Sequence, residues 1–182
     1  GDVYKRQVYL RADRPDANQH NLDILRHCIE DFAREDLLLV VEFLTYPLPD
    51  ETDEAYKSRV PSLIYEGTKL SLALGAKVLK IPYPGSAKAC ADITALAGDV
   101  PWAVLSAGVD HSTFLKQVAD AMSNGASGVI AGRALWKDCI SLDRRVTREK
   151  LETLAIPRLR EIQAVIGQYF HPGATEEKAR HA

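Results

Sequence analysis

The sequence predicts an α/β protein built on a parallel sheet with helices outside it. Three observations carry that expectation. Short apolar runs alternate with stretches of helical period. The runs recur at the spacing of strand–helix–strand units. They also lack regular polar alternation, as expected of strands covered on both faces.

The elements follow in order. Residues 8–10 are a short strand, followed by a polar turn at residues 13–16. Across residues 21–35, Leu22, Leu25, Ile29, Phe32 and Ala33 share a helical face. Residues 37–44 are an apolar run interrupted by Glu42, and Pro47, Pro49 and Asp50 end it. A helix is expected over residues 53–74, stopping at Gly75, with a start or kink at Pro61. Residues 78–81 are the third strand, closed by Pro82 and Pro84, and residues 86–97 the next helix. Pro101 opens the fourth strand, residues 102–106. Residues 112–124 are helical, with Gly125 as a left-handed terminator. Residues 128–131 are the fifth strand. A last helix covers residues 148–169, interrupted at Pro157.

Residues 1–7 fit neither period and read as an unassigned leader, left over from how the sequence was obtained. Residues 171–182 read as a polar tail, and residues 8–170 as one domain. With 23 basic and 25 acidic side chains the net charge is −2, which argues against a nucleic-acid partner. No apolar stretch reaches the roughly 18 residues of a membrane span, so no membrane partner is expected. Cys28, Cys90 and Cys139 lack metal-ligand spacing and read as reduced thiols of a cytoplasmic protein. The histidines do not cluster, and neither a metal nor a cofactor is expected.

Polar residues in apolar strands are the informative exceptions. Glu42 and Lys80 lie late in the second and third strands, Ser106 closes the fourth, and Gly132-Arg133 follows the fifth. Sites in α/β folds form where strands end. If even-numbered positions face inward, Glu42 and Lys80 meet above the core. A lone charge at a strand end is commonly just solvated; two on successive strands at matching heights favour a site. Loss of solvation favours the neutral amine of a lysine, which can attack a carbonyl and form an imine. A carboxylate beside it can move protons. Ser106-Ala107-Gly108 and Ala131-Gly132-Arg133 place small residues and backbone N–H groups at adjacent strand ends, a pattern suited to phosphate; the same glycines also suit plain tight turns. Asp110 or Ser112 is read as a helix start, Trp102 and Trp136 as packing residues, and Lys77 as structural.

Residues 101–110, Pro-Trp-Ala-Val-Leu-Ser-Ala-Gly-Val-Asp, resemble the seventh strand of class I aldolases related to tagatose-1,6-bisphosphate aldolase. Residues 125–136 resemble the eighth, residues 74–80 the sixth, and residues 41–47 the fifth. The resemblance implies a partial (β/α)₈ TIM barrel, about strands four to eight, acting on a phosphorylated sugar without metal. It implies that Lys80 forms the imine and that Glu42 is an acid/base or hydroxyl-positioning group. Ser106, Gly108, Gly132 and Arg133 would surround a phosphate, or a sulfonate as in sulfofructose-phosphate aldolases, and Arg11 would reach the substrate from the first strand. Lys5, in the leader, receives no role. The alternatives are a sulfofructose-phosphate aldolase, a non-catalytic sugar-phosphate-binding barrel, or another barrel enzyme such as a phosphosugar isomerase. The resemblance further implies that the isolated piece is inactive and that a full-length form is a homo-oligomer.

Overall fold

The structure, a computed structural model, describes residues 3–169, and strand and helix alternate along residues 3–136. The order is β1 (Val3–Tyr9), α1 (Pro15–Arg34), β2 (Leu38–Leu44), α2 (Asp53–Ala73), β3 (Val78–Pro82), α3 (Ala87–Ala97), β4 (Trp102–Leu105), α4 (His111–Ser123) and β5 (Gly128–Ile130). Three helices follow: α5 (Arg133–Trp136), α6 (Arg144–Lys150) and α7 (Ile156–Tyr169). The strands form one parallel sheet in the order β1-β2-β3-β4-β5. The expected α/β class and parallel sheet are what the chain adopts. The expected polar tail lies outside the described residues.

The sheet has two unlike faces. Val8, Leu39, Val41, Phe43, Leu79, Ile81, Trp102 and Val104 point to the helices and form the core with Leu25, Ile64, Ile93, Phe114 and Val118. Close packing reaches the backbone: a Cβ on Gly67 of α2 would stand 2.5 Å from Phe43 Cε2. Glu42 pairs in register with Lys80, and Lys80 with Ala103, so these residues share the opposite face. Leu38 and Ile130 on that face are exposed.

Local chemistry sets most boundaries. Thr52 Oγ1 accepts from the Ala55 N–H at 3.2 Å, Ser86 Oγ from Ala89 at 3.1 Å, and Asp110 Oδ1 from Thr113 at 2.9 Å. Asp110 is therefore the helix start. Gly125 ends α4 at φ +94°.

Four expectations need correction. The strand expected at residues 8–10 begins at Val3, so residues 3–7, expected as part of an unassigned leader, belong to the sheet. Pairing with β2 uses backbone groups and needs no apolar side chain. Only Val8 of that strand is buried, which is why its first half carries no side-chain signal. Helix α1 starts at Pro15 rather than at residue 21, because proline suits a first turn whose N–H groups have no helical partner. Helix α2 runs through Pro61 unbroken; that turn shares a small cavity with Pro84 and Ile93 of the neighbouring unit. The last helix starts early, at Arg144, where Asp143 caps it. The interruption expected at Pro157 takes the form of a π turn over Leu151–Ala155, a local widening of the helix just before a residue that has no N–H to donate. The single-turn helix α5 is too short to show a period.

Candidate active site

Strands β2 and β3 place Glu42 and Lys80 side by side because the two residues are register partners. Lys80 Nζ donates to Glu42 Oε2 at 3.0 Å. The side chains are 14% and 6% exposed, so this ion pair is enclosed. Lys5 Nζ of β1 donates to the same Oε2 at 2.6 Å. Its side chain is 43% exposed, and contacts of that kind contribute about 0–1 kcal/mol. The pattern of residues 1–7 held no signal for this contact; only strand pairing brings Lys5 there. At the Glu42–Lys80 contact a carboxylate can take a proton from an ammonium and leave an amine with a free electron pair.

Beyond β4 the chain takes two left-handed residues in succession, Ala107 at φ +46° and Gly108 at φ +77°. For the alanine this geometry costs about 1–2 kcal/mol. The Val109 N–H donates to Ser106 O at 3.1 Å and closes the turn. Among the described residues, the N–H groups of Ala107 and Gly108 enter no backbone hydrogen bond. Donors left open by such a turn suit an anion. Arg133 begins α5 after Gly132, is exposed, and has no ion-pair partner among the described residues.

One cavity of about 420 Å³ joins these parts. Glu42, Lys80, Ser106, Gly108, Gly132 and Arg133 all line it. The arrangement can therefore hold an anion at the ends of β4 and β5 while presenting an amine and a carboxylate at β2 and β3. Two further lining residues, Tyr9 and Trp136, are half exposed. Trp136 was expected to pack; instead it borders the cavity, because α5 turns the chain straight back from Arg133. Trp102 does pack, donating from Nε1 to Thr94 Oγ1 at 3.0 Å.

Arg11 is the exception. It is fully buried and does not line this cavity. Its Nε and Nη2 donate to Asp13 at 2.9 and 2.8 Å. Its Nη1 donates to Glu51 Oε2 at 2.5 Å and Tyr46 O at 2.8 Å, and Nη2 reaches Glu51 Oε1 at 3.4 Å. All five guanidinium N–H groups are thereby used, leaving none for a substrate. The expected reach of Arg11 to the substrate is corrected to a structural clamp. Hydrogen bonding to Arg11 lowers the Asp13 pKa to about 2 and also lowers that of Glu51.

Residues 3–138 match the model of the family described as DeoC/LacD family aldolase. The chain is 33% identical over 110 residues to the class 1 fructose-bisphosphate aldolase of Thermoproteus tenax, covering 59% of this chain and 40% of that protein. It is 35% identical over 96 residues to a 2-amino-4,5-dihydroxy-6-oxo-7-(phosphonooxy)heptanoate synthase of Streptomyces griseus, covering 52% of this chain and 34% of that protein. An archaeal fructose 1,6-bisphosphate aldolase superposes with a TM-score of 0.61 at 23% identity, over 85% of this chain and 58% of that one. The fructose-bisphosphate aldolase from Slackia heliotrinireducens gives 0.59 at 24%, over 90% and 52%. The match thus spans 34–40% of these curated relatives and 52–58% of these solved chains. The structural likeness shows the fold.

Proposed function

The chain belongs to the DeoC/LacD family of aldolases, and from that premise we propose that it carries the imine-forming half of a class I aldolase acting on a phosphorylated ketose. The observation that carries this reading is the enclosed Lys80–Glu42 pair, 3.0 Å apart in the cavity that also holds Ser106, Gly108, Gly132 and Arg133. The five strands correspond in this reading to about strands four to eight of a (β/α)₈ barrel.

The chemistry runs through this chain's own groups. Glu42 accepts a proton from the Lys80 ammonium, and Nζ attacks the ketone carbon. Glu42 returns that proton to the carbinolamine hydroxyl, which leaves as water, giving a protonated imine and restoring the carboxylate. Glu42 then takes the proton of the hydroxyl on the second carbon beyond the imine. The bond between the first and second carbons beyond the imine carbon breaks, an aldehyde leaves, and the electron pair passes into the imine to give an enamine. Protonation at carbon and hydrolysis release dihydroxyacetone phosphate and restore Lys80. Ser106, the open backbone N–H groups and Arg133 hold the phosphate meanwhile. The substrate is a ketose phosphate of the fructose or tagatose 1,6-bisphosphate type; a sulfofructose phosphate would place its common dihydroxyacetone phosphate end in the same cradle.

Borohydride reduction in the presence of dihydroxyacetone phosphate tests the reading. Mass spectrometry is expected to find one adduct, on Lys80, and none in Lys80→Met. An unchanged adduct in Lys80→Met would sink the assignment. Reversible phosphate binding with no adduct would instead favour a sugar-phosphate-binding barrel without catalysis.

A further inference from the structure

We propose that Lys137 is a positioning residue for anion binding: its ammonium ties the Ser106–Gly108 turn to the segment carrying Arg133, holding the two halves of the cradle at a fixed separation. The inference rests on the phosphate site of the preceding reading and extends it to a residue that does not line the cavity.

Lys137 follows α5 directly, and its N–H donates to Arg133 O at 2.9 Å, so one helical turn separates the two side chains. The Lys137 Nζ crosses to the next loop and donates to the carbonyl oxygen of Gly108. The peptide between Gly108 and Val109 is then held at both ends, its C=O by Lys137 and its N–H by Ser106 O at 3.1 Å. That peptide closes the turn in which Ala107 and Gly108 take left-handed backbone and leave their N–H groups without a backbone partner among the described residues. A turn with two such residues has many lower-energy alternatives, so a restraint on its carbonyl selects the conformation that presents the donors.

The other half of the cradle needs the same restraint. A helix of one turn has almost no stability of its own. From the C-terminal side, Arg158 Nη1 donates to Leu135 O at 2.9 Å and the Arg158 guanidinium pairs with Asp138 at 2.6 Å. Those contacts hold α5 against α7. The Lys137 bond links α5 to the turn after β4, and the distance between those two segments decides whether one anion can touch both. Lys137 therefore acts through Gly108 on binding, without touching the ligand.

The test is isothermal titration of the 182-residue chain with inorganic phosphate, with thermal unfolding recorded for every variant. Lys137→Met is expected to weaken phosphate about three- to tenfold while moving the melting temperature by no more than about 2 °C. Lys137→Arg keeps both donor and charge and is expected to restore affinity to within about twofold. The loss in Lys137→Met is expected to persist at about 0.5 M sodium chloride, where a purely through-space field is screened. Wild-type affinity in Lys137→Met, or a loss that disappears at high salt, would overturn the proposal. So would a loss that tracks a lowered melting temperature without rescue by arginine. Arg133→Met separates this failure from that of the underlying site. If it loses phosphate while Lys137→Met does not, only the positioning role falls. If neither changes affinity, or the unsubstituted chain binds no phosphate, the cradle and the inference both fall.

Discussion

Two arginines stand at the carboxyl end of the sheet and meet opposite fates. Arg11, just beyond β1, is buried with every donor used. Arg133, just beyond β5, is exposed and unpaired among the described residues. Both follow a strand, and strand ends are where α/β proteins place their sites. The neighbouring loop makes the difference. Beyond β2 the chain supplies Glu51 and the Tyr46 carbonyl, and the turn after β1 supplies Asp13, so Arg11 is neutralised within the protein. Beyond β4 the chain supplies Ser106, Ala107 and Gly108, which carry no negative charge. Arg133 is left to pair with something from outside. A cation becomes a clamp or a binding group according to whether acidic partners arrive from the adjacent unit.

The sharpest way to break this comparison is Arg11→Met. It leaves Glu51 and part of Asp13 enclosed without a counter-charge, and a loss of about 3–5 kcal/mol of folding stability is expected by denaturant titration. A variant as stable as the parent would remove the distinction. Arg133→Met should behave in the opposite way, with folding stability within about 0.5 kcal/mol of the parent and phosphate affinity reduced about tenfold or more by calorimetry.

Acid should reveal the clamp more gently. The Asp13 carboxyl titrates near 2 in the folded chain, below its ordinary value of 3.8. Its share of stability is therefore full above about pH 4 and is lost as the pH falls toward 2. Denaturant midpoints measured from pH 6 down to pH 2.5 should show this fall in the parent chain and a weaker one in Arg11→Met; equal slopes would break the assignment. The smallest effect belongs to Arg59, which is 57% exposed and touches Asp13 at 3.1 Å from outside. Arg59→Ala should cost under about 1 kcal/mol, because water already solvates that charge.

The legible part of the site was the part whose residues contradict their own strands. Glu42 and Lys80 stand out because a charge inside an apolar run needs a reason, and alternation alone puts both on one face. Arg133 stands out because it follows glycine at a strand end. Arg11 likewise follows a strand, after Leu10, but its burial depends on Glu51, 40 residues on in another loop. Trp136 was likewise misplaced, since a single-turn helix has no period to read. The strand at residues 3–7 was missed because its evidence is a backbone ladder.

By itself the sequence determined the class of fold, the five strands, the face shared by Glu42 and Lys80, and the small-residue turns after β4 and β5. These follow from local rules: period, breaker residues, caps, and the cost of a charge in a strand. Tertiary structure alone decided which charges are neutralised and which stay available. It put Glu51 on Arg11, Lys137 on Gly108, and no ion-pair partner on the Arg133 guanidinium among the described residues. The reason is that pairing energy depends on distance in space and on solvent access, and neither quantity is set by separation along the chain.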